Sequence, residues 1–134
     1  MLSLLPTVKV FLAPEGVDMR KSFDGLTCLA RDVIGQNPLS GHLFVFCNRR
    51  RNRVKVLFWD GTGLWVCAKR LEKGTFAWPD APSEGASSVE LSAGELALIL
   101  GGFDLREATK RGNWWRPPSP PTEARVLEPE AAAV

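Results

Sequence analysis

Residues 54–59 read VKVLFW, residues 60–63 read DGTG and residues 64–68 read LWVCA, so two strand-forming runs flank a short turn rich in glycine. Side chains alternate across a strand, and pairing over this turn sets Lys55, Leu57 and Trp59 on one face with Leu64, Val66 and Ala68. The opposite face takes Val54, Val56, Phe58, Trp65, Cys67 and Lys69. Both faces are largely apolar. Such a hairpin cannot leave either side to water without a large exposed patch, so it belongs in a sheet that is covered twice.

The rest of the chain offers strands to extend that sheet and helices to cover it. VKVFL (8–12) reads as a first strand and LFVFC (43–47) as a short, continuously apolar one. Between them, VDMRKSFDGLTCLARDVIG places Phe23, Leu26, Ala30, Val33 and Ile34 at helical spacing, with Ser22 as candidate N-cap and Gly35 as candidate stop. GTFAWP (74–79) is a further candidate strand ended by Pro79, and 80–88 reads as a loop. A second helix starts at Ser92, with Glu95 as its capping-box partner and Leu91 against Leu96 as a hydrophobic staple; its body is apolar on nearly all sides, and Gly101 and Gly102 end it. The expected fold is α+β: a small antiparallel sheet of three to five strands, with the hairpin at its centre, packed with two or three short helices. One basic domain is expected over 1–116, followed by a Pro-rich disordered tail over 117–134 (PPSPPTEARVLEPEAAAV).

The 134 residues, 45% of them hydrophobic, suffice for one core. Charge is unevenly spread. Residues 1–78 carry 12 Lys/Arg against 6 Asp/Glu, and the remainder 5 against 9. A basic front half attracts phosphate or acidic partners. The sharpest concentration is CNRRRNRVK, whose Arg49, Arg50, Arg51, Arg53 and Lys55 lie between two strand runs. Guanidiniums at a hairpin tip can straddle a phosphate backbone, with Asn48 and Asn52 adding contacts; the plainer account is that loop tips are solvated and basic for solubility. Arg20, Lys21, Lys69 and Arg70 are the further candidate phosphate contacts, with Lys110 and Arg111 beyond them. Among aromatic residues, Trp59, Trp65 and Trp78 occupy strand positions and read as core or interface anchors. Phe58, Trp65, Trp114 and Trp115 are the candidate contacts to a protein partner, with base stacking the alternative for Trp114 and Trp115.

Cys28, Cys47 and Cys67 are odd in number and sit in apolar surroundings, which suits small buried thiols in a reduced, cytoplasmic protein. No CxxC pair exists and His42 is the single histidine, so neither a metal site nor a cofactor is expected. The opening MLSLLP has the character of neither a signal peptide nor a membrane span. Asp18, Asp24, Asp32 and Asp60 are the acids available for metal-dependent cutting, but turn and cap roles account for them, and no Walker loop, GxSxG or HExxH occurs. No catalytic residue is assigned.

Taken in order, VDMRKSFDGL, LFVFCNRRRNRVKVLFWDGTGLWV and KRLEKGTFAWP resemble the TnpB accessory proteins, the second-open-reading-frame products of bacterial insertion sequences of the IS66 group. These are distinct from the RNA-guided nuclease that shares the name. The resemblance runs from about Val8 to Leu105, with a looser echo in WWRP (114–117) and a departure at Cys47, where the pattern often has a charged or polar residue. It implies a role in DNA transposition beside a separate transposase, and with the Arg loop the leading expectation is a non-enzymatic accessory factor that binds transposon DNA together with that transposase. The alternative is a protein-only adaptor whose basic loop meets an acidic surface. The family supplies no catalytic residues to carry over. It draws attention to Asp18 and Arg20, Asp24-Gly25, Asn48 to Arg53, Lys55, Asp60-Gly61, Gly63 and Lys69 to Leu71, and Asp18 is expected to fix a loop by pairing with an arginine.

Overall fold

A computed structural model describes residues 8–102. Five strands form one sheet in the order β4-β3-β2-β1-β5, where β1 is Val10–Leu12, β2 Leu43–Cys47, β3 Arg53–Trp59, β4 Leu64–Arg70 and β5 Val89–Leu91. Two α-helices accompany it, α1 (Phe23–Leu29) and α2 (Ala93–Leu100), and α1 runs into a π-helical segment, Ala30–Ile34. The α+β class is as read from the sequence, but the β3–β4 hairpin lies at one edge of the sheet and not at its centre, because β4 has no further strand to pair with. The pairing is mixed rather than antiparallel throughout, because β1 and β2 run parallel, with Val10 opposite Leu43 and Leu12 opposite Val45. The 30 residues between them carry α1 back across the sheet, the length of connection a parallel pair requires.

The hairpin keeps the register the turn dictates: Leu57 faces Val66, Phe58 faces Trp65 and Trp59 faces Leu64. Asp60 makes the turn. Its Oδ1 accepts hydrogen bonds from the backbone amides of Thr62 (2.8 Å) and Gly63 (2.9 Å) and from the Thr62 hydroxyl, and its Oδ2 accepts one from Trp65 Nε1 at 2.7 Å. This donor set holds the carboxyl well below the usual carboxylate range.

Both faces are covered over β1 to β3, whereas the edge strand β4, expected to be covered twice, is largely exposed. On one, Phe11, Phe44, Phe46 and Leu57 meet Leu26, Ala30 and Ile34 from α1 and its π-helical extension. Those three helical residues recur four apart, and Phe23 and Val33, also expected in the core, fall outside that stripe and are about half exposed. Ser22 takes the N-cap position without a side-chain cap bond, whereas Gly35 ends the segment in the left-handed conformation at φ 81°. On the second face, Val10, Leu12, Val45, Val54, Val56 and Phe58 meet Leu96 and Ile99 of α2. Ser92 and Glu95 form the reciprocal capping box, with bonds of 3.1 and 2.9 Å.

The stretch 74–79 is not a strand. It lies across the second face by burying Phe76, which is held by one backbone bond from its amide to the Arg51 carbonyl at 2.7 Å. The three-residue β5 went unread in the sequence because VEL is too short to show a period. Of the cysteines, Cys47 is buried as expected. Cys28 and Cys67 are exposed instead, one on the outer side of α1 and one on the edge strand β4.

Phe44, fully buried in the central strand, makes the two-sided core testable. Phe44→Ala is expected to destabilise by about 3–5 kcal/mol and Ser92→Ala by about 1 kcal/mol, both read from urea midpoints. An unmoved midpoint in Phe44→Ala contradicts the packing described.

Candidate functional site

The loop joining β2 to β3 is built by Asn48. Its Oδ1 accepts from the amides of Asn52 (3.0 Å) and Arg53 (3.1 Å), its Nδ2 donates to Asn52 Oδ1 at 2.7 Å, and its carbonyl accepts from the Arg51 amide. Asn48 and Asn52, expected to reach toward phosphate or bases, therefore direct most of their hydrogen bonding into the loop itself. The tight turn brings Arg51 into the left-handed region at φ 63°, a conformation a long side chain adopts only when something holds it.

What holds Arg51 is the interior. Its Nη2 donates to the Pro14 carbonyl at 2.8 Å, and its guanidinium lies 5.7 Å from the Trp78 ring centroid. Trp78 in turn donates from Nε1 to the Ala13 carbonyl at 2.9 Å. Arg51 Nη1 is buried with no hydrogen-bond partner among the described residues. Burial pushes the neighbouring Cys47 thiol up, an effect the Arg51 guanidinium opposes. Arg51 is thus a strut that ties the loop to the chain after β1, and its guanidinium does not stand in solvent as the sequence reading had it.

The facing wall is the segment after β1. Val17 donates its amide to the Cys47 carbonyl at 2.8 Å, and Gly16 lies so close to Arg49 that a Cβ would sit 2.9 Å from the Arg49 Cα, so only glycine fits without a shift of backbone. Lys55 Nζ donates to the carbonyls of Met19 (2.8 Å) and Lys21 (2.7 Å), and so ties down the approach to α1. Asp18 accepts from the Arg20 amide at 2.9 Å and from Arg20 Nε and Nη2, the closest side-chain contact being 2.8 Å. The Arg20 side chain, with its backbone amide, holds the Asp18 carboxyl down to about 2. The loop-fixing ion pair expected of Asp18 is present, with Arg20 as its partner.

Between these walls lies an open trough of about 460 Å³ lined by Val17, Asp18, Met19, Arg20, Asn48, Arg49, Arg50 and Arg53. It opens where the two parallel strands β1 and β2 end, the usual position for a site on a sheet with parallel strands. Arg49, Arg50 and Arg53 are exposed, and the ion pairs among the described residues are Arg20–Asp18, Arg31–Asp32 and Arg70–Glu72. A smaller hollow of about 150 Å³ adjoins it, bordered by Arg53, Lys69 and Arg70. Arg53 stands directly opposite Arg70 across β3 and β4, a like-charge pairing that Glu72, 3.3 Å from Arg70, offsets on the Arg70 side only.

Of the remaining candidates, Lys21 is exposed, and Lys69 Nζ donates to the Leu100 carbonyl at the end of α2, at 2.7 Å. Phe58 is in the core rather than at the surface. Trp65 stacks on it at 6.1 Å between ring centroids and is 53% exposed. Trp114 and Trp115, with Lys110 and Arg111, and the 116/117 boundary and tail, lie outside the described residues. Among the described residues, no three His, Cys, Asp or Glu side chains gather where they would hold a metal ion, and no helix is long and apolar enough to cross a membrane.

These features define a class: a small basic α+β domain with an arginine-lined trough at the end of a mixed sheet. The chain belongs to the family described as IS66 Orf2 like protein, which matches residues 8–110, and so to the accessory proteins of insertion-sequence transposition. Its similar proteins include two uncharacterized proteins of Sinorhizobium fredii (strain NBRC 101917 / NGR234). The protein y4hO is 38% identical over 110 residues, covering 82% of this chain and 90% of its own length. The protein y4jC is 32% identical over 104 residues, covering 78% and 86%. No solved structure matches the chain.

Two outcomes test the walls of the trough. Arg51→Met is expected to destabilise by about 1–3 kcal/mol, whereas Arg49→Ala and Arg50→Ala stay within about 0.5 kcal/mol of the parent; urea denaturation separates them, and equal effects contradict the strut. Because the folded-state value for Asp18, about 2, lies below its ordinary 3.8, the order its ion pair confers is complete above the ordinary value and is lost as pH falls through the folded one. In an NMR titration the Arg20 amide is expected to shift with a midpoint well below pH 3.8; a midpoint at the ordinary value rules the pairing out in solution.

Proposed function

We propose that this accessory protein binds the phosphate backbone of transposon DNA at the arginine-lined trough and does so beside the element's transposase. The observation that carries the reading is the set of exposed guanidiniums of Arg49, Arg50 and Arg53 on a rigid rim, with Arg53 set against Arg70 across the sheet. Bringing like charges together and holding them still favours a polyanion, since the ordering of the loop precedes binding and is not charged against it. Lys21 and Arg70 extend the basic surface, while Arg51 and Lys55 support it from within.

A second reading is favoured by Trp65, a large aromatic exposed on the edge strand and locked in place by Phe58 and Asp60. It suits a protein contact of the kind aromatic anchors make, with the transposase as partner and no DNA involved. Retention of the transposase after nuclease treatment, together with loss of that retention in Trp65→Ala, supports this adaptor role.

The DNA reading has a quantitative test. Three guanidiniums neutralising three phosphates of a duplex give a slope of log K against log salt of about −2.7, a loss of roughly 40-fold between about 50 and 200 mM salt. Replacing Arg49, Arg50 and Arg53 together by alanine is expected to flatten the slope by about that amount, measured by fluorescence anisotropy. An unchanged slope removes the trough from DNA binding.

A further inference from the structure

We infer that the trough takes one nucleotide of an unpaired DNA strand, its phosphates toward Arg49, Arg50 and Arg53 and its base against Val17, Met19 and the flat face of Arg20. The inference rests on the reading that this trough binds DNA, and it specifies which form of DNA.

The two walls differ in chemistry. The wall from the β2–β3 loop presents exposed guanidiniums, Arg49, Arg50 and Arg53. The wall after β1 presents two half-buried apolar side chains, Val17 and Met19, beside a carboxylate, Asp18. Asp18 and Arg20 neutralise one another in an ion pair at 2.8 Å, so this wall carries little net charge and the strand's phosphates are drawn to the first wall. Arg20 completes the second wall in an unusual state. Its Nε and Nη2, the side edge of the guanidinium, are both engaged by Asp18, which leaves Nη1 at the tip. Its side chain is nevertheless 91% exposed, so both faces of the guanidinium plane are open to a ligand, turned toward the trough by the bonds to Asp18. Such a plane stacks on a nucleobase, and a thioether beside it adds a soft, polarisable contact.

Size and shape agree. A concavity of about 460 Å³ is in the range that encloses a small molecule, enough for one nucleotide unit. In a duplex the base faces are stacked inside and only the sugar-phosphate rim is offered, which leaves the Val17, Met19 and Arg20 wall without a partner. An unpaired strand offers both. Asn48, whose Oδ1 is committed to two backbone amides, has little left with which to read base edges, so the site accepts any base.

The test uses the full chain, fluorescence anisotropy and three probes: an oligo(dT) of about 12 nucleotides, an abasic strand of the same length and a duplex of the same length. Oligo(dT) is expected to bind about tenfold or more tighter than the abasic strand and tighter than the duplex. Arg20→Lys, which keeps the charge and removes the plane, is expected to abolish most of the preference for oligo(dT) over the abasic strand while leaving the salt slope as it was. Equal binding of oligo(dT) and the abasic strand overturns the base wall, and duplex binding as tight as oligo(dT) overturns the strand preference. In either of those cases, continued dependence on Arg49, Arg50 and Arg53 leaves the broader DNA reading standing. Absence of binding to all three probes overturns both.

Discussion

A strand buried on both faces has no place for polar side chains except at its ends, and β2 is such a strand. Leu43, Phe44, Val45, Phe46 and Cys47 are all buried, alternating between the two hydrophobic clusters. The requirement to cover both sides recruits α1 to one face and α2 with Phe76 to the other. It also expels charge to the loops where β1 and β2 finish. These strands are parallel, so the two loops emerge at the same end of the sheet and face one another. The basic trough is thus a consequence of where the core forbids charge.

The sequence exposed the parts of this arrangement that depend on short-range patterns. The DGTG turn gave the hairpin register, and Ser92 with Glu95 marked the start of α2, because a turn and a capping box are local chemistry. The parallel pairing of β1 and β2 was not legible, since strand direction depends on how a crossover returns to the sheet and leaves no periodic trace. The burial of Phe58 beneath Trp65 has a similar origin. Both residues lie on the same face, and only the positions of α2 and Phe76 decide how much of that face is covered.

Charge was legible as a quantity and much less so as a function. Arg51, Lys55 and Lys69 were grouped with their neighbours as phosphate contacts, yet each donates to a backbone carbonyl: Pro14, Met19 with Lys21, and Leu100. Irregular backbone and helix ends around a small sheet leave carbonyls that no ladder satisfies, and a long cationic side chain can reach them. Within RRRNR nothing local separates Arg51 from Arg49 and Arg50. The distinction comes from the Asn48 bonds that place residue 51 at φ 63°, and from a carbonyl 37 positions earlier in the chain.

Holding cations by their backbone and leaving their heads in solvent is a different strategy from a flexible basic tail. A tail gains its counterion-release energy and then gives up the entropy of every residue it orders, whereas the rim formed by Arg49, Arg50 and Arg53 has been ordered by folding. The strut matters here beyond stability. Gly16 lies close against the Arg49 backbone and Arg51 reaches Pro14, so the two walls are joined at two points. A trough of fixed width selects its ligand by shape as well as by charge, and this is the property a flexible array of the same arginines would lack.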